Sequence, residues 1–121
     1  LKDLFNKRMS TLSGGTTQKV SATLAFLFNP NVLILDEPTA GLDPLASEIL
    51  KDKIITEKQK GKLILITSHL LSELDDLITQ IIFMQDGVVQ FHKTIDDLKS
   101  STGEERISKA IAKILKDRNN E

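Results

Sequence analysis

The chain has 121 residues, 40% of them hydrophobic, and a formal net charge of −1. That leaves room for one domain at most, with enough apolar material for a core, which argues against wholesale disorder. Near-neutral charge and five Phe without Tyr or Trp argue against nucleic-acid binding, and the lack of cysteine excludes disulfides and thiolate metal sites.

In chain order, Leu1-Lys2-Asp3 opens onto a mixed polar segment with no signal-peptide pattern. Ser13 stands at an N-cap position ahead of Val20, Leu24, Leu27 and Phe28 at helical spacing, and Asn29-Pro30 ends that helix. The run Val32 to Leu35 has the length and continuity of a strand buried on both faces. Asp43-Pro44 forms an N-cap followed by proline in the first turn, and Gly61 stops the helix after about Lys60. Leu63 to Thr67 is a second strand of the same buried type, and Ser72 opens a short helix through Ile78.

Ile81 to Gln85 and Val88 to Phe91 flank Asp86-Gly87, a strong two-residue hairpin signal. Ser101 and Glu104 fit a capping box for a last helix, about Glu104 to Asp117, with Ile107, Ala110, Ile111, Ile114 and Leu115 on one face. That face is expected to pack on its own domain. The alternation predicts an α/β fold with a mostly parallel sheet, flanking helices and a C-terminal hairpin. No apolar run approaches the roughly 20 residues of a membrane-spanning helix.

Three places carry candidate chemistry. Asp36-Glu37 follows a strand directly, at the carboxyl edge where parallel sheets bind ligands. Neighbouring side chains on an extended segment point apart, so one carboxylate can hold Mg²⁺ while the other orients a water. Ser13-Gly14-Gly15 leads into a helix, where bare backbone amides and the helix dipole favour a phosphate. His69 follows the second strand by one serine and falls at the same edge. Taken singly, each has an ordinary reading: surface acids at a strand end, a flexible helix entry, a solvated histidine. His92 has no assigned role.

Together, Leu12-Ser13-Gly14-Gly15, then Val32 to Glu37 with Pro38-Thr39-Ala40-Gly41-Leu42-Asp43, then His69 resemble the ATP-binding-cassette (ABC) ATPases. They correspond to that family's signature motif, its Walker B strand with the D-loop, and its switch histidine. The likeness covers roughly residues 5 to 95 and implies a partial P-loop NTPase-like fold. It divides the chain into 1–95, the C-terminal part of the nucleotide-binding domain, and 96–121, a helical extension.

The resemblance further implies ATP and Mg²⁺ as ligands. Asp36 would position Mg²⁺, Glu37 would polarise the attacking water and His69 would hold the γ-phosphate. Ser13, Gly14 and Gly15 would touch a nucleotide bound to a second ATP-binding subunit, and Asp43 would couple the two sites. Thr16 departs from the family's usual glutamine. The expected role is the ATPase subunit of a membrane transporter, at the cytoplasmic face of the membrane with transmembrane subunits as partners and no nucleic acid. The alternatives are a soluble, non-transport ATPase of the same superfamily and a non-catalytic interaction module.

The pattern G-x-x-x-x-G-K-[ST] is missing from the sequence. Its only Gly-Lys, Gly61-Lys62, is followed by Leu63 and precedes a strand. The 121 residues are therefore not expected to bind ATP alone, and a natural protein with roughly as many residues again upstream is expected. By itself the chain should be marginal, rearranged or oligomeric, because strands that lose a neighbour leave edges open to pairing.

Overall fold

The computed structural model describes residues 6–118. They form two compact units, one reaching to His69 and the other beginning at Leu70.

In the first unit, a 3₁₀ turn at Met9–Thr11 precedes α1 (Gly14–Leu27). Ser13 caps α1 as its sequence position predicts, its Oγ accepting from the Thr16 N–H at 3.3 Å. Strand β1 (Val32–Asp36) follows, then α2 (Pro44–Gln59) and β2 (Leu63–Thr67). Asp43 Oδ1 accepts from the Ala46 N–H at 2.9 Å, capping α2. Gly61, at φ +81°, takes the left-handed turn beyond its end, a conformation that glycine adopts at no steric cost.

β1 and β2 pair in parallel, with Val32 opposite Leu63 and Asp36 opposite Thr67. Leu33 and Leu35 point into the core with Leu50 and Ile54 of α2. The continuous apolar runs predict strands covered on both faces. In the structure β1 alternates, with Val32 and Ile34 exposed, and no β2 residue is fully buried. Within the first unit, the described residues leave the outer face of this sheet uncovered.

Glu57 is the buried charge of the first unit. Lys53 and Lys60 reach its Oε1 at 2.8 and 2.9 Å, and the Lys62 ammonium contacts its Oε2. These ammonium groups, that of Lys53 foremost, hold the carboxyl well below its usual range. Lys62 also donates to Asn29 Oδ1 at 2.5 Å, tying the start of β2 to the turn that follows α1.

In the second unit, β3 (Gln80–Gln85) and β4 (Val88–Thr94) form the expected hairpin. Asp86 and Gly87 both have positive φ, 52° and 75°, as a type I′ turn requires. The register shifts after Phe83, leaving Gln90 as the extra residue, and Arg118 donates to the Gln90 carbonyl and side chain. Phe83 and Phe91 stack with ring centroids 5.4 Å apart.

Two helices follow where the capping-box pattern predicts one. Thr94 Oγ1 accepts from the Asp97 N–H at 3.0 Å and starts α3 (Ile95–Thr102), which ends at Gly103, φ +70°. Ser101 thus lies inside α3, donating to the Leu98 carbonyl, and is no cap. The last helix, α4, is Ile107–Arg118. Asp75, distant in sequence, accepts from its Ile107 N–H at 2.9 Å. The face itself is as expected, with Ile107, Ala110 and Ile111 buried alongside Leu98, Ile95, Leu74, Leu77 and Ile81. The helix expected from Ser72 is only a 3₁₀ turn, Leu71–Glu73.

Candidate functional site

The carboxyl edge of the parallel pair gathers the acids and the imidazole. Asp36 is the last residue of β1, opposite Thr67 in register, and the Thr67 hydroxyl donates to Asp36 Oδ1. Glu37 continues the ladder through its own N–H, which donates to the Thr67 carbonyl at 3.0 Å. The chain then turns at Glu37, whose φ is +45°. A non-glycine residue there costs on the order of 1–3 kcal/mol, and such conformations persist where surrounding contacts over-determine them. The following Pro38 adds its own restriction.

Those contacts are present. The Glu37 carbonyl accepts from the Ala40 N–H at 3.0 Å and from Gln18 Nε2 at 3.2 Å. The Glu37 carboxylate accepts from the His69 backbone N–H at 3.0 Å, with His69 Nδ1 2.7 Å from the same oxygen. The two neighbouring acids thus have different partners, a hydroxyl for Asp36 and an imidazole for Glu37. A neutral ring bonded in this way carries its proton on Nδ1, so its Nε2 can donate to an anion only if the ring is doubly protonated.

The start of α1 lies against the loop after β1. A Cβ on Gly15 would stand 2.8 Å from the Gly41 carbonyl oxygen, so only glycine fits that approach. Gly14 has open space where a Cβ would stand. The Ser13 hydroxyl is shared between its capping role and the Thr16 hydroxyl, 2.8 Å away. Lys19 Nζ lies 2.6 Å from Asp43 Oδ2. That ammonium, and then the Ala46 N–H, hold the Asp43 carboxyl below its usual value. Asp43 therefore has a structural function within its own chain, whatever it contributes beyond it.

Of the residues singled out from sequence, Asp36, Glu37 and His69 come together at one edge. Ser13, Gly14, Gly15 and Asp43 lie on the helix start and loop that adjoin it. Sequence reasoning missed Thr67, Gln18 and Lys19. The signal was available for the last two, because positions three and four beyond Gly15 share its helix face.

No described group of three or more Asp, Glu, His or Cys residues could hold a metal by itself. The Asp36 carboxylate with the Thr67 hydroxyl is nevertheless an all-oxygen donor set. It suits Mg²⁺, which typically takes one or two protein carboxylates and completes its shell with water and phosphate. The residues present therefore fit that ion.

A family model described as ABC transporter matches residues 1–40. An uncharacterised ABC transporter ATP-binding protein of Bacillus subtilis, YhaQ, is 34% identical over 89% of this chain and 36% of its own length. A solved ATP-binding subunit of an ABC transporter superposes with a TM-score of 0.79 at 30% identity, over 88% of this chain and 45% of the other. The chain belongs to the ABC transporter ATP-binding protein family. The human phospholipid-transporting ATPase ABCA3 is also similar, 38% identical over 81% of this chain and 6% of its own. So is an ATP-binding cassette solved as a dimer bound to ADP and Pi, with a TM-score of 0.69 at 25% identity over 78% of this chain and 41% of the other. This ABC chain spans about a third of YhaQ and under half of the matched structures.

Proposed function

We propose that this chain carries the hydrolysis edge of the ATP-binding subunit of an ABC transporter, in which ATP binding and hydrolysis drive substrate across a membrane. The observation that carries this reading is the Glu37–His69 pair beside Asp36–Thr67 at the carboxyl end of a parallel sheet. Glu37 orients a water toward the γ-phosphorus. As the new P–O bond forms, the bond to the β-phosphate oxygen breaks and ADP leaves, while Glu37 accepts the water's proton. His69 holds the carboxylate in place through Nδ1 and, in its doubly protonated form, donates from Nε2 to the phosphate oxygens. Asp36 with Thr67 would hold Mg²⁺, which when bound neutralises phosphate charge.

Ser13, Gly14 and Gly15, at the N-terminus of α1, bind the terminal phosphate of a nucleotide held by a second ATP-binding subunit. Asp43 links the two sites. The domain comprises residues 1–95, with 96–121 as a helical extension. Among the described residues no helix is long and apolar enough to cross a membrane. Transmembrane partner subunits supply the path, and the assembly places this chain at the cytoplasmic face.

The test is ATP turnover by the complete protein with Glu37→Gln. Loss of turnover, with ATP-dependent dimers retained, supports the reading, and unchanged turnover removes Glu37 from its assigned role.

A further inference from the structure

The side chain of Gln18 touches the site without a part in the chemistry described above. It is half-buried on α1, one helical turn beyond Gly15. Its Nε2 lies 3.2 Å from the Glu37 carbonyl and 3.0 Å from that of Pro38. A primary amide has two N–H donors on one nitrogen, so a single side chain can hold two successive carbonyls. These carbonyls belong to the residue at φ +45° and to the buried proline that follows it.

We infer that Gln18 is a positioning residue for Glu37, fixing the turn from which the carboxylate projects toward its water. The inference rests on the hydrolytic reading of Glu37 given above. Three contacts of α1 with the same loop support it: Gly15 on the Gly41 carbonyl, Gln18 on Glu37 and Pro38, and Lys19 on Asp43. They span the loop from its first residue to its last. Any movement of α1 is therefore carried to the backbone of Glu37. Because the first turn of α1 bears the phosphate-binding glycines, Gln18 makes the aim of the carboxylate depend on whether that turn is engaged. The Ala40 N–H holds the Glu37 carbonyl from within the loop, so Gln18 is the bond that refers the turn to the helix.

The experiment compares Gln18→Glu, Gln18→Met and Gln18→Lys with Glu37→Gln in the complete protein. It measures kcat, KM for ATP, ATP-dependent dimer formation and Tm. Glutamate keeps the shape and removes the donor, methionine does so without charge, and lysine restores a donor. The expected result is a loss in kcat on the order of 10- to 100-fold in the Glu and Met variants, since small misplacements of a reacting group cost that much. KM should stay within about twofold, as befits an interaction that acts on the chemical step. ATP-dependent dimers should persist, and lysine should recover part of the rate.

An unchanged kcat in the Glu and Met variants, with Glu37→Gln inactive, overturns the role of Gln18 and leaves the hydrolytic reading standing. A joint fall of kcat, dimer formation and Tm that lysine does not relieve reduces Gln18 to a structural residue and also overturns it. Retained turnover in Glu37→Gln removes the reading on which both rest.

Discussion

His69 binds Glu37 twice through one oxygen: its backbone N–H lies 3.0 Å from Glu37 Oε1 and its Nδ1 lies 2.7 Å from the same atom. The backbone contact survives every substitution at 69 except proline, whereas the ring contact is lost with the imidazole. The His69 side chain is 73% exposed, so its removal should cost little packing. His69→Ala should lower kcat by on the order of 10²-fold, the lower end of what losing one hydrogen-bond donor to transition-state charge costs, while Tm stays nearly constant. Steady-state hydrolysis and thermal melts of the complete protein check this. A large fall in Tm would assign the histidine to the fold.

The two glycines of the helix start should separate structure from ligand binding. Gly15→Ala drives a Cβ to 2.8 Å from the Gly41 carbonyl, a backbone clash that should destabilise by about 1–3 kcal/mol. Gly14→Ala meets nothing within 4 Å, so its stability should be unchanged. A loss of ATP-dependent dimerisation in Gly14→Ala at constant Tm would therefore report the crowding of a phosphate. Chemical denaturation together with dimer assays distinguishes the two.

Glu57 should make stability depend on pH. Its ammonium partners, Lys53 first, then Lys62 and Lys60, depress its folded pKa below the ordinary 4.5. A depressed carboxylate stabilises the fold above its unfolded pKa, and that contribution is lost as pH falls toward the folded value. Glu57→Gln should therefore lower Tm clearly near neutral pH. The gap to the native sequence should narrow steadily as pH drops below about 4, where the unfolded carboxyl takes up its proton. A gap independent of pH would show that the lysines contribute packing alone.

The isolated 121 residues should self-associate. The outer face of the β1–β2 pair presents Val32, Ile34, Leu63 and Leu65 to solvent, with Ile34 70% exposed. Beside Phe26, Leu27, Leu45 and Ile49, an apolar cavity of about 540 Å³ lies between α1 and α2. Apolar surface of this kind, together with the open edges of a two-stranded sheet, favours association. Sedimentation velocity should find oligomers whose population falls in a double variant, Ile34→Lys with Leu65→Lys. A monodisperse monomer with a sharp cooperative melt would contradict this.

Much of the fold was legible because its signals are local. Ser13 and Asp43 cap the helices they precede, and Asp86-Gly87 makes the turn its dipeptide demands. The convergence of Glu37 and His69 followed from strand order, since both fall just beyond the carboxyl ends of paired strands. What stayed hidden depends on distant partners. The helix Ile95–Thr102 begins directly from a strand at Thr94, and α4 takes its cap from Asp75, far along the chain. An apolar run shows that a strand avoids water, yet it does not say what covers it, hence the exposed faces of β1 and β2. Gln18 could be placed on the face of Gly15, but its two carbonyl partners are visible only in three dimensions.

The most direct measurement is a structure of the complete Glu37→Gln protein with ATP and Mg²⁺. The expected result is a dimer in which His69 of one subunit and the partner subunit's Ser13 flank one γ-phosphate. Asp36 should stand at the metal, and the amide that replaces the Glu37 carboxylate should face a water. A γ-phosphate bound away from His69, or a nucleotide enclosed by residues of one subunit only, would contradict it.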